Sequence, residues 1–212
     1  MKKIFIYSRR KLDISEKQME EISKNLPEKI SIAYSIQYKG VAIKFKDYLS
    51  KTKNIGAIIQ VLGCSSPKFP ENTEAVLIVG SGKFHAVSLA SEINGKKIPV
   101  YLFEENHLKK ISETEIDEIK KKKKASYINF LNSNSVGVIS SLKPGQEKLK
   151  RSLDFKKSLL KKYRKKAYLF LCDNINTNEF ENFSIDSWVN TACPRMDLES
   201  SKIINLSAIE SY

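Results

Sequence analysis

The side chains best suited to metal or nucleophilic chemistry are few: three cysteines, Cys64, Cys172 and Cys193, and two histidines in a chain of 212 residues. Cys64 stands in "IIQVLGCSSPKF" (58–69), behind Gly63 at the end of an apolar run. Cys193 stands in "WVNTACPR" (188–195), directly before Pro194-Arg195. A thiolate just past a strand can reach a metal or attack an electrophile, and a nearby guanidinium such as Arg195 would favour its ionised form. Pro194 removes one backbone donor and stiffens the turn. On residue type alone Cys64 reads first as a small buried side chain, and Cys193 reads equally as a packed or a reactive one. Cys172, closing the apolar run "AYLFLC", reads as core. The separations fit neither a C-x-x-C zinc pattern nor a disulfide framework.

Two glycine-bearing turns are the other candidates. "VGSGKFHAVSLA" (79–90) reads as strand, turn and helix. It fails the phosphate-loop pattern G-x-x-x-x-G-K-[ST] at Leu77 and Phe84. A glycine turn at a helix start still offers free N–H groups to an anion, a carboxylate included. Gly82 and His85 are its candidate ligand-binding residues. "ISSLKPGQEKL" (139–149) repeats the theme and nominates Lys143, the amide of residue 145 and Gln146. Gln37 in "AYSIQYKG" is a weaker echo. The sequence carries no Ser-His-Asp set, His-rich cluster or dinucleotide fingerprint.

These candidates need strands and helices to hold them. Apolar runs at 3–8, 30–35, 57–62, 75–80, 99–103, 136–141, 167–172 and 185–191 do not alternate, as expected of parallel strands covered on both faces. Amphipathic stretches lie between them. Ser15-x-x-Gln18 and Ser112-x-x-Glu115 read as capping boxes. Pro144 suits a first helical turn. A long helix is expected over 112–135. The pattern predicts an α/β fold of two similar parallel-sheet domains with flanking helices, residues 1–111 and 112–212. Ligands of such sheets gather beyond the carboxyl ends of the strands, where all the candidates fall.

Hydrophobic residues are 41% of the chain, enough for packed cores. No apolar run reaches membrane-spanning length, and "MKKIFIYSRR" reads as an opening strand rather than a signal peptide. Free cysteines point to a reducing, cytoplasmic setting. The net charge of +13 reflects lysine richness or an anionic partner; nucleic acid, bound through Lys120–Lys124, is the lesser reading against a solvated helix face.

Taken together, "SIAYSIQY", "QVLGC", "AVLIVGSGKFHAVSLA", "VYLFEEN", "ISSLKPGQ" and "WVNTACPR" resemble, in this order, the diphthamide synthesis enzymes, the 2-(3-amino-3-carboxypropyl)histidine synthases. The resemblance runs from about residue 3 to the C-terminus and implies much beyond the residues themselves. Family members are radical enzymes of three related α/β domains, each giving one cysteine to a [4Fe-4S] cluster. S-adenosylmethionine binds the open iron. A 3-amino-3-carboxypropyl radical then adds to one histidine of translation elongation factor two. By this resemblance residues 1–111 are a middle-type domain with Cys64 as metal ligand. Residues 112–212 are a last-type domain with Cys193 as metal ligand. Gly82, His85, Lys143 and Gln146 would line the S-adenosylmethionine pocket. The family's first domain, with the third ligand, is absent from this chain, and Cys172 is not at a ligand position. The expectation is a subunit of a split or heteromeric transferase, completed by a family subunit or dimer partner. The alternatives are a noncatalytic scaffold paralogue and a basic RNA- or ribosome-binding module.

Overall fold

The structure is a computed structural model that describes residues 8–61, 67–93, 97–143, 146–193, 196 and 202–210. The strand expected at 3–8 therefore lies almost wholly outside the described residues. The chain forms two compact units, Met1–Asp117 and Glu118–Tyr212. As expected, both are α/β.

In the first unit, helix α1 (Glu16–Lys24) leads to strand β1 (Lys29–Tyr34), helix α2 (Lys39–Leu49) and strand β2 (Asn54–Gln60). Strand β3 (Ala75–Val79), helix α3 (Lys83–Ile93) and the hairpin β4 (Val100–Glu104) and β5 (His107–Lys110) come next. The sheet order is β2-β1-β3-β4-β5. Strands β1 to β4 are parallel; β5 runs antiparallel to β4. β3 is buried at all five positions, so both its faces are covered. On one face Ala75, Leu77 and Val79 pack with Met19 and Ile22 of α1 and Val41, Phe45 and Leu49 of α2. Helix α3, which buries Ala86, Leu89 and Ala90, packs against β4.

Helix α4 (Glu113–Asn132) contains the division between the units. Both expected capping boxes form. The Gln18 amide donates to Ser15 Oγ and the Ser15 amide to Gln18 Oε1. The Glu115 amide donates to Ser112 Oγ (3.2 Å) and the Ser112 amide to Glu115 Oε2 (3.0 Å).

The second unit contains strand β6 (Ser135–Ser141), helix α5 (Leu149–Lys161), and strands β7 (Lys166–Cys172), β8 (Ser187–Asn190) and β9 (Ile203–Asn205). Helix α6 (Leu206–Glu210) continues directly from β9. All four strands are parallel, in the order β7-β6-β8-β9. One sheet face, through Val136, Val138, Val189 and Ile204, packs on Phe130 of α4, Phe155 and Leu159 of α5, and Leu206 and Ile209 of α6. The other face is covered by the segment after β7, a 3-10 turn over Thr177–Asn182, rather than by a long helix. There Phe180 stacks on Trp188 with ring centroids 4.1 Å apart, and Phe170 approaches it to 4.7 Å. Trp188 sits opposite Gly137 in the β6–β8 register. Helix α5 begins at Leu149, not near Pro144, which lies outside the described residues.

Lys165 closes the other end of α4. Its ammonium donates to the carbonyls of Leu131 (2.8 Å) and Ser133 (2.5 Å), the last-turn acceptors that a helix leaves open. Burial pushes this amine's pKa down.

Two measurements test this packing. A Cβ on Gly137 would press into Trp188 Cε3 and lie 2.6 Å from Cζ3. Gly137→Ala therefore lowers stability by about 1–3 kcal/mol in denaturant unfolding, the usual cost of overpacking. The second measurement concerns Glu115. Its ion pair with Lys109 (2.8 Å), then the Ser112 amide, lower its pKa from 4.5 to about 2. A carboxylate depressed in the folded state stabilises above its unfolded value and loses that contribution as pH falls through the folded value. Glu115→Gln should therefore be less stable than the parent protein at pH 6, with the difference shrinking as pH falls below 4.5 and gone only below about pH 2; a difference independent of pH would contradict it.

Candidate functional site

Both sheets have the doubly wound plan in which the strand order reverses between the first and third strands, leaving a crevice beyond their carboxyl ends. In the first unit that point lies between β1 and β3; in the second, between β6 and β8.

In the first unit β3 runs into Gly80-Ser81-Gly82, and α3 starts at Lys83. Gly82 has φ +78, a conformation glycine adopts without strain. Its amide donates to the carboxylate of Glu104, the last residue of β4. A carboxylate of the chain itself thus takes up the Gly82 amide. Glu104 was not legible from sequence: it lies 22 residues from Gly82, and only the β3–β4 pairing joins them. His85 lies in the first turn of α3, half-buried, with Nδ1 shielded from solvent. Cys64 comes after β2 in sequence but lies outside the described residues.

In the second unit β6 ends in a tight turn. The Lys143 amide donates to Ser141 Oγ (3.1 Å), and the Lys143 carbonyl accepts from the amides of Gln146 (3.0 Å) and Glu147 (3.1 Å). The Lys143 side chain is exposed and Gln146 is half-buried; residue 145 lies outside the described residues. This turn and Cys193 leave adjacent strands at the same sheet end, since β6 pairs with β8 in parallel.

Cys193 itself is half-exposed and free. The chain before it is fixed at every step. Thr191 donates its amide (3.1 Å) and hydroxyl (2.8 Å) to the Ile139 carbonyl. Asn190, 2% exposed, accepts the Ala192 amide at Oδ1 (2.9 Å) and donates from Nδ2 to the Cys193 carbonyl (2.7 Å). The same Nδ2 donates to Asn205 Oδ1 (2.6 Å) at the end of β9. This is an asparagine side chain closing a turn on its own downstream backbone. The segment "VNTAC" holds that signal, although its distant clamp, Asn205, does not show in it.

Cys172 is also half-exposed and free, but it lies within its ladder. It packs against the cluster of Ile139, Trp188, Met196 and Ile203, and Sγ points to the Ser140 carbonyl at 3.9 Å. Burial first, then the charges of Asp173 and Glu179, push its pKa up from 9.0. A thiol held protonated is a poor metal ligand. Among the described residues no three His, Cys, Asp or Glu side chains gather as a metal site, and no helix is long and apolar enough to cross a membrane.

Two doubly wound sheets, each with candidate groups at its strand ends, define a doubly wound α/β protein. Sequence comparison makes the class specific. The model for diphthamide synthesis proteins matches residues 1–203, and the chain belongs to that family. The 2-(3-amino-3-carboxypropyl)histidine synthase of Pyrococcus horikoshii is 31% identical over 140 residues, covering 66% of this chain and 40% of that protein. Subunit 1 of the Schizosaccharomyces pombe enzyme is 23% identical over 218 residues, covering 94% of this chain and 49% of that protein. The chain thus spans less than half the length of these two curated relatives. The crystal structure of Dph2 from Pyrococcus horikoshii with a 4Fe-4S cluster superposes with a TM-score of 0.73 at 25% identity, covering 92% of this chain and 60% of that one.

The contrast between the thiols is measurable. In metal-free protein at pH 8, iodoacetamide should alkylate Cys172 more slowly than a free cysteine peptide, and the gap should narrow as pH rises above 9.0. Equal rates at pH 8 would show that burial does not hold the thiol protonated.

Proposed function

We propose that this chain supplies two of the domains of a 3-amino-3-carboxypropyl transferase acting in the first step of diphthamide biosynthesis. Residues 1–111 act as the middle-type domain and 112–212 as the last-type domain. The substrate is S-adenosylmethionine; the acceptor is a histidine of translation elongation factor two, in the cytoplasm. The family match and the named relatives support the reaction class. The observation that carries the reading for this chain is Cys193, a half-exposed thiol beyond β8 on a backbone held by buried hydrogen bonds.

The donor chemistry fits an iron–sulfur cluster at Cys193, a soft thiol three residues past the end of its strand, whereas Cys172 pairs within the β7 ladder. Cys64 and Cys193 would hold the cluster together with a third donor from outside this chain, carried by a further family domain or partner subunit. When bound, the cluster supplies the electron that cleaves a carbon–sulfur bond of S-adenosylmethionine. The protein's own groups bind and orient. The Gly82 turn receives a carboxylate, as it receives that of Glu104. Lys143 and Gln146 stand at the strand end next to Cys193 and, with His85, are assigned to the substrate pocket. For an incoming methionine carboxylate to take the Gly82 amide, Glu104 must move aside.

Anaerobic reconstitution with ferrous iron and sulfide tests this. Alone, the chain should hold substoichiometric iron and leave elongation factor two unmodified. Adding the family subunit that carries the third cysteine should raise iron to four per complex and restore transfer. Cys64→Ala and Cys193→Ala should each abolish transfer, whereas Cys172→Ala should alter melting only. A stable four-iron cluster and full transfer from this chain alone would overturn the shared-site reading.

A further inference from the structure

Buried amides are costly unless every polar atom is satisfied. Asn190 is 2% exposed and Asn205 6%, and both stand at strand ends where the sheet has already used its backbone groups. The Asn190 carboxamide makes three bonds: it accepts from Ala192 and donates to Cys193 and to Asn205. Two of the three fix the residues just before and at the thiol. The third, to the neighbouring strand, fixes the carboxamide. With its carbonyl turned inward on Asn190 and on the Met196 amide (3.3 Å), the Cys193 backbone is set before any metal arrives.

We propose that Asn190, clamped by Asn205, is the positioning residue for Cys193: it preforms the ligand turn so that binding iron need not order it. The proposal rests on reading Cys193 as a cluster ligand. Thr191 provides the contrast. Its hydroxyl is equally buried and bonds the Ile139 carbonyl and Ser152 Oγ, each at 2.8 Å, but it does not touch Cys193. A merely structural role would make Asn190 and Thr191 equivalent.

The closing experiment tracks Cys193 and Cys172 separately, by peptide mass spectrometry of iodoacetamide labelling, in metal-free protein whose fold is checked by circular dichroism. Asn190→Asp keeps the shape but turns the donating nitrogen into an oxygen facing two acceptors. Asn205→Ala removes only the clamp. Both should speed Cys193 labelling at least about threefold, the scale of losing one hydrogen bond. Thr191→Val should lower the melting temperature without changing the Cys193 rate, and Cys172 should be unchanged throughout. After reconstitution, both asparagine variants should also lose iron to a chelator faster than the parent protein. An unchanged Cys193 rate in folded Asn190→Asp overturns the proposal; if that variant does not fold, Asn205→Ala decides. Equal acceleration by Thr191→Val overturns it too. A parent protein that takes up no iron, with or without its partner subunit, sinks the cluster reading instead and leaves the labelling rates to judge Asn190.

Discussion

Trp188 lies against Gly137 with no room for a further carbon, and the second unit is arranged around that contact. The ring fills the space that a side chain on β6 would take. It is itself covered by Phe180, Phe170 and Phe183. Large aromatic side chains supply much apolar contact area, so Trp188 is buried on this sheet face without a long helix above it. Cys193 lies five residues further along the same chain segment. Because β8 has only four residues, rotation or sliding at Trp188 would be carried directly into the turn that bears the thiol.

Packing fixes the strand; hydrogen bonds fix the chain beyond it. After Asn190 the ladder ends, and the backbone leaves the sheet at a point where apolar side chains cannot direct it. Thr191 ties the strand end back to β6, and Asn190, held from β9, carries the order on to the Cys193 backbone. The unit thus changes from non-directional to directional forces within two residues. That is the change a ligand position demands, because a metal tolerates little error in where its donor stands.

Much of the fold was legible because parallel strands buried on both faces are written as unbroken apolar runs. Ala75–Val79 shows it plainly. The elements that escaped notice have local causes. β5 was hidden because its hairpin turn uses Glu105 and Asn106 at φ +48 and +65, without the glycine that advertises such turns. β9 is three residues long, too short for a period to register. Pro144 suggested a helix start, but α5 starts at Leu149 with no side-chain cap from Lys148, so its boundary leaves no sequence mark. In the candidate site, residue types and strand ends were legible. The Glu104 contact with Gly82 and the clamp of Asn205 on Asn190 were not, since each joins residues that only strand order brings together.

The two units share a strand order yet place their cysteines differently. In the first, Cys64 comes after the second strand, β2, and the Gly80-Ser81-Gly82 turn after the third, β3. In the second, the second strand, β7, ends in Cys172, and the third, β8, leads to Cys193. Cys172 therefore occupies roughly the counterpart of the Cys64 position, which makes it a natural rival for a ligand role. Its surroundings differ from those of Cys193. It belongs to the last ladder residues of β7, pairing with Ser141, and packs beside Trp188. Cys193 lies three residues beyond its ladder, where the chain is free to turn a side chain away from the sheet. Both thiols are half-exposed. The one inside the ladder packs against the Trp188 cluster, and its partial burial raises its pKa; the one past the ladder stands on a backbone held by a side-chain amide. The repeat thus does not by itself confer equivalent surroundings: the few residues between the last ladder bond and the thiol set what each cysteine stands against.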